Sequence, residues 1–165
     1  MFMVNGCSPA SPAPPASVVT DACSLLTEKQ IDDATRLDVR PDAVRVTARQ
    51  SPDGAKRSVC AWSDRYGEGM VELVVYPSDG HKLMTERQRT LRTDDKVRAP
   101  VPVAVPGADR AFRIPSLGLL GMTLRDSYVQ VRLIGGQVRP GDERRLATVV
   151  IRAWQRYARP RSTTS

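Results

Sequence analysis

At 165 residues the chain suits one domain with a genuine hydrophobic core, and its 41% hydrophobic and 26% charged residues are ordinary for a globular protein. No stretch reaches the roughly 20 consecutive apolar residues needed to cross a bilayer. The net charge of +7 rests on 25 basic residues, 21 Arg and 4 Lys, spread over nearly every predicted element; with only 5% aromatics to stack on bases, this reads as generic basicity, and no nucleic acid is expected as a partner.

The chain opens Met-Phe-Met-Val-Asn-Gly-Cys-Ser-Pro. Val4-Asn5-Gly6-Cys7 resembles a bacterial lipobox, with an aliphatic residue three before the cysteine and a small one directly before it; Asn5 departs from the usual middle position. The charged start and the apolar run of a full signal peptide are missing, so the expectation is a start upstream or a chain cut at the end of its signal. Ser8 to Thr20 is almost wholly Ser, Pro, Ala, Val and Thr, with prolines at 9, 12, 14 and 15. Such a segment removes backbone donors and has little to bury, so it reads as a tether reaching about 40 Å at full stretch. Residues 1–20 are accordingly expected to be a signal remnant and a disordered tether, with Cys7 carrying a lipid. The alternative is a disordered terminus with an incidental cysteine.

Cys23 and Cys60 remain as a pair. Neither lies in a Cys-x-x-Cys motif and the single His81 offers no second metal ligand type, so zinc is not expected. In an exported domain the two would form a disulfide; in a cytoplasmic protein they would be buried thiols.

The folded part is expected over 21–158. Thr27 with Gln30 fits a capping box, and Leu26, Ile31 and Ala34 share a face of a helix over about 24–36. Val44, Val46 and Ala48 alternate with Arg45, Thr47 and Arg49 as a strand does, and Ser51-Pro52-Asp53-Gly54 is a turn. Strands follow at 57–63, with Cys60 and Trp62 on one face, and around Val71, Leu73 and Val75, completing an antiparallel meander. Residues 81–92 read as a short surface helix. Pro100, Pro102 and Pro106 mark an irregular or edge segment. Ala111–Ile114, Leu120–Arg125 and Tyr128–Ile134 each read as a strand. From Gly141 to Ala158, Leu146, Val149, Val150, Ala153 and Tyr157 follow helical spacing, while Arg145, Arg152, Arg156 and Arg159 line a different face. Residues 159–165 are a frayed tail. The fold class expected is α+β: an antiparallel β-sheet with the N- and C-terminal helices packed on one face.

Asp-Ala-Cys-Ser-Leu-Leu-Thr at 21–27, Cys60-Ala61-Trp62 and Pro-Gly-Ala-Asp-Arg-Ala-Phe at 106–112 resemble a family of actinobacterial cell-envelope lipoproteins known as a domain of unknown function. The resemblance covers about 21–158. It implies an extracytoplasmic, lipid-anchored domain whose two cysteines pair, with similarity to sensor domains, and it brings no catalytic residues.

Chemistry-bearing motifs are absent from the sequence: there is no Gly-x-Ser-x-Gly elbow, no phosphate-binding loop and no His-x-x-x-His pair. His81 lies in a polar turn, Asp32-Asp33 and Asp94-Asp95 lack calcium-loop spacing, and all read as solvated surface. Trp62 reads as core. The arginine stripe is a candidate patch for anionic lipid or an acidic cell-wall polymer. The expectation is thus a non-catalytic binding or sensing module on the extracytoplasmic face of the membrane. It would have no cofactor, and its partner would be a cell-envelope polymer, a lipid or a protein. A basic nucleic-acid-binding protein and an enzyme with an unrecognised site are the alternatives.

Overall fold

In a computed structural model of the protein, the structure describes residues 21–40, 44–50, 56–94, 98–135 and 138–158. The segment expected to be a tether, Cys7, the expected turn at 51–54, Asp95 and Arg159 lie outside the described residues.

Asp21 caps a single 3-10 turn at Ala22–Ser24 by accepting from the Cys23 N–H. Helix α1 follows at Glu28–Ala34, and both halves of the Thr27/Gln30 capping box are formed. The predicted helix over 24–36 is therefore two shorter pieces, because Thr27 satisfies the first free donors of α1 only from an extended backbone. Strands β1 (Val44–Gln50), β2 (Lys56–Ser63) and β3 (Gly69–Tyr76) form the first meander. Helix α2 (Gly80–Arg92) leads to β4 (Val101–Pro102), β5 (Arg110–Ile114), β6 (Leu119–Leu124) and β7 (Ser127–Gly135), and α3 (Asp142–Ala158) closes the fold. The prolines confine β4 to two residues at the sheet edge.

All seven strands join one antiparallel sheet in the order β1-β2-β3-β7-β6-β5-β4, so the two meanders meet where β3 pairs with β7. Strand alternation sorts side chains between two layers. Cys60, Leu73, Val131 and Leu120 face one another across four strands, and all are buried. They share the larger core with Leu25 and Ile31 from the N-terminal segment and with Leu146, Val150 and Trp154 of α3. The opposite side has a smaller core, in which Met84 and Leu91 of α2 meet Phe112, Ile114, Leu119 and Tyr128. The α+β fold thus has its sheet between two helical layers, since α2 takes the face away from α1 and α3. The sequence around 81–92 indicated a surface helix without showing which side of the sheet Met84 and Leu91 would cover.

In the smaller core the Tyr128 hydroxyl donates a long hydrogen bond (3.4 Å) to Gln130 Oε1. Burial, with Tyr76 adding to it and Arg87 opposing it, pushes the phenol well above its ordinary pKa of 10.0. The folded state therefore favours the protonated phenol. Its contribution is fully present below about pH 10 and is lost as pH rises beyond that, because the unfolded chain ionises first. Urea unfolding of Tyr128→Phe should accordingly show a shallower alkaline loss of stability than the wild type, at a cost near neutrality of about 1 kcal/mol or less for the weak hydrogen bond. Parallel alkaline slopes for the two proteins would mean that Tyr128 does not govern this decline.

Candidate functional site

Three features have the chemistry or geometry of a site: the cysteine pair, the arginine face of α3, and a groove at the β4–β5 loop. Cys23 and Cys60 are bonded, with their Cα atoms 5.1 Å apart. Cys60 is wholly buried on β2, and Cys23 sits in the 3-10 turn, where Asp21 fixes its amide. The adjoining Ala22 N–H donates to Ser58 Oγ, so a hydrogen bond and a disulfide pin the same turn to alternate residues of β2. Trp62 is buried in the same core, as its spacing from Cys60 indicated. Among the described residues no group of three His, Cys, Asp or Glu could hold a metal ion, and no helix is long and apolar enough to cross a membrane.

Arg145, Arg152 and Arg156 are exposed on the side of α3 away from the core. They are not equivalent. Arg145 donates to the Ala34 carbonyl at the end of α1 and pairs with the buried Asp142, whereas Arg152 and Arg156 make no ion pair among the described residues. Arg145 is thus a clasp between α1 and α3, and among the described residues of the stripe Arg152 and Arg156 form its open cationic part. Tyr157, grouped with the apolar residues of α3 by spacing, is 49% exposed because it falls in the last turn of the helix. Other arginines are also used locally. Arg40 donates to the Arg65 carbonyl, Arg65 pairs with Asp38, Arg113 lies 3.8 Å from the buried Glu143, and the Arg125 guanidinium lies 5.5 Å from the centre of the Trp154 ring.

The third feature had no motif to announce it. Between β4 and β5 the chain makes a wide loop, and residues 103–111 together with Arg144 of α3 line an open groove of about 360 Å³. Val103 N–H donates to the Ala111 carbonyl at the mouth of the loop and Ala108 N–H to the Val105 carbonyl across it. Arg144 Nη2 donates to the Ala104 carbonyl at 2.8 Å, bracing the loop against the first turn of α3. Gly107 lets the loop lie down on α3. Its φ is +88°, and a Cβ there would stand 2.8 Å from Ile151 Cγ2 and 3.0 Å from Gln155 Nε2. Asp109 is held in the wall because its Oδ2 accepts from the Arg125 N–H and its own N–H donates to the Thr123 carbonyl. Pro100, Pro102 and Pro106 announced an irregular segment here. They could not show that Arg144 would reach it, since that contact spans 40 residues of sequence.

His81 and Asp33 are exposed, in keeping with solvated surface. Asp33 is paired with Lys29, whose pKa it raises through a hydrogen bond and by charge. No family model, no curated protein and no solved structure matches the chain.

Two outcomes follow from this geometry. The disulfide closes a 37-residue separation, so Cys23→Ala/Cys60→Ala should lose about 3–4 kcal/mol of unfolding free energy in a urea titration. A loss under about 1 kcal/mol would mean that the Ala22–Ser58 contact and the core hold the turn unaided. Gly107→Ala should lower the unfolding free energy by about 1–2 kcal/mol, through the positive φ and the close approach to Ile151; an unchanged urea midpoint would mean that the loop is free to lift from α3.

Proposed function

We propose that this chain is an extracytoplasmic lipoprotein: a non-catalytic binding or sensing module held to the outer face of the cell membrane through a lipid on Cys7. The observation that carries the reading is the Cys23–Cys60 disulfide, which links the first turn of the domain to a buried strand. Disulfides of this kind persist in oxidising compartments and are rare in the cytosol. The Val4-Asn5-Gly6-Cys7 segment and the Pro/Ser/Ala spacer support it from the sequence side, as does the resemblance of residues 21–27, 60–62 and 106–112 to the actinobacterial lipoprotein family.

The spacer ends at Thr20, one residue before the capped turn that carries Cys23. Tethering therefore acts on the part of the domain that the disulfide secures, and a pull on the tether is borne by a covalent bond into the sheet. The arginines support a binding module more than a polyanion-coating protein, since several of them hold backbone carbonyls, buried acids or an aromatic ring. Tethering at a membrane raises the local concentration of the domain toward envelope ligands, so modest intrinsic affinity suffices.

Mass spectrometry of the native protein from a membrane fraction, without reduction, tests this reading. The expected result is a diacylglyceryl group on Cys7 and a single cross-linked peptide containing Cys23 and Cys60. An unmodified Cys7 with Cys23 and Cys60 as free thiols would overturn it and would place the basic surface in a reducing compartment.

A further inference from the structure

We propose that the groove between the β4–β5 loop and α3 binds the oxyanion group, carboxylate or phosphate, of a compact ligand, with Arg110 and Arg144 as the charged contacts. This rests on the reading of the chain as a binding module, but not on its lipid anchor. A volume of about 360 Å³ falls within the range of small-ligand sites and well above that of a single ordered water.

The lining is suited to an anion on three counts. First, Arg110 and Arg144 are its two charged donors, and both are exposed. Arg110 has no ion pair among the described residues, and Arg144 spends one Nη on the Ala104 carbonyl while keeping the rest of its fork of donors. Secondly, the one carboxylate in the lining, Asp109, already accepts from the Arg125 N–H. Thirdly, the backbone N–H groups of Ala104, Val105 and Gly107 have no hydrogen-bond partner among the described residues, although all three residues line the groove. Unpaired backbone donors beside arginine make a concavity in which an anion is bound by oriented dipoles as well as by charge.

Rigidity adds to this. The loop is fastened at Ala104 by Arg144, at Asp109 by the β6–β7 turn and at Gly107 by its packing on α3. A ligand therefore meets donors that are already placed, and little ordering opposes binding. The floor is formed by Val103, Val105, Ala108 and Ala111, which pack on the larger core, so a short apolar body attached to the anionic group would be accommodated.

The test is a two-dimensional amide NMR titration of the full chain, without its lipid, using inorganic phosphate and, separately, citrate at constant ionic strength. Saturable shifts are expected at the amides of Ala104, Val105, Gly107, Ala108, Asp109 and Arg110. Arg110→Gln should weaken binding about three- to tenfold, as loss of a partly exposed charge-assisted contact does. Because the Arg110 side chain has no hydrogen bond or ion pair among the described residues, the thermal unfolding midpoint of this variant should stay at the wild-type value. Arg156→Gln, an exposed α3 arginine that does not line the groove, should leave the affinity unchanged. Shifts that are absent or never saturate, or equal weakening by Arg110→Gln and Arg156→Gln, would overturn the proposal and identify the groove as a solvent cleft in a uniformly basic surface. Neither result bears on lipidation of Cys7, which the mass spectrum decides separately.

Discussion

The pairing of β3 with β7 is the constraint on which the rest of the fold depends. Eight residue pairs, from Gly69 opposite Gly135 to Tyr76 opposite Tyr128, join the two meanders. Neither meander could bury both faces by itself. The seam brings Val71, Leu73 and Val75 alongside Leu133, Val131 and Val129 on one side of the sheet, and that continuous apolar surface is covered by α3 over β7 and by the N-terminal 3-10 turn over β3. A slip of one residue would exchange the two faces of β7 and set Tyr128 and Gln130 against α3. The ends of the ladder oppose such a slip. Gly135 lies so close to the backbone of Glu68 that a Cβ there would stand 2.5 Å from its carbonyl oxygen, and Gly80 N–H donates to the Asp126 carbonyl at the other end.

The two remaining attachments depend on this seam. The disulfide reaches Cys60, which lies directly across from Leu73 of β3, so the N-terminal turn is fastened over the row of side chains that the seam completes. The groove at the β4–β5 loop sits at the other edge of the same sheet, where β4 ends after two residues and the chain must bridge to β5. Edge strands leave unpaired backbone groups. Here the loop folds back on α3 instead of extending the ladder, and Ala104, Val105 and Gly107, whose N–H groups have no partner among the described residues, line a groove instead of a strand edge. The disulfide-bonded N-terminal turn and the groove thus lie on opposite halves of one sheet.

The sequence carried more of the fold than of the site. Helix α3 and the strands around Cys60, Val71, Leu120 and Val131 lie where the apolar periodicity placed them, because each signal is local: alternation for a strand facing one core, three-to-four spacing for a helix on a sheet. The split of the first helix at Thr27 was written in the capping box itself, though read as the start of a single helix over 24–36. The arginine stripe on α3 was visible as spacing. Its division into a clasp and an open half was not, because Arg145 is held by Ala34, 111 residues away in sequence.

By itself, then, the sequence determined the α+β class, the order of its elements and a pair of cysteines placed to be joined, since propensity, periodicity and turn chemistry act within a few residues. Only the tertiary structure decided that β3 would meet β7, that α2 would lie on the face opposite α1 and α3, and that Arg144 would lean across to the loop before Arg110. Those are pairings between distant segments. They are selected by which apolar faces can be buried together and which backbone groups are left to satisfy, and no local pattern encodes that choice.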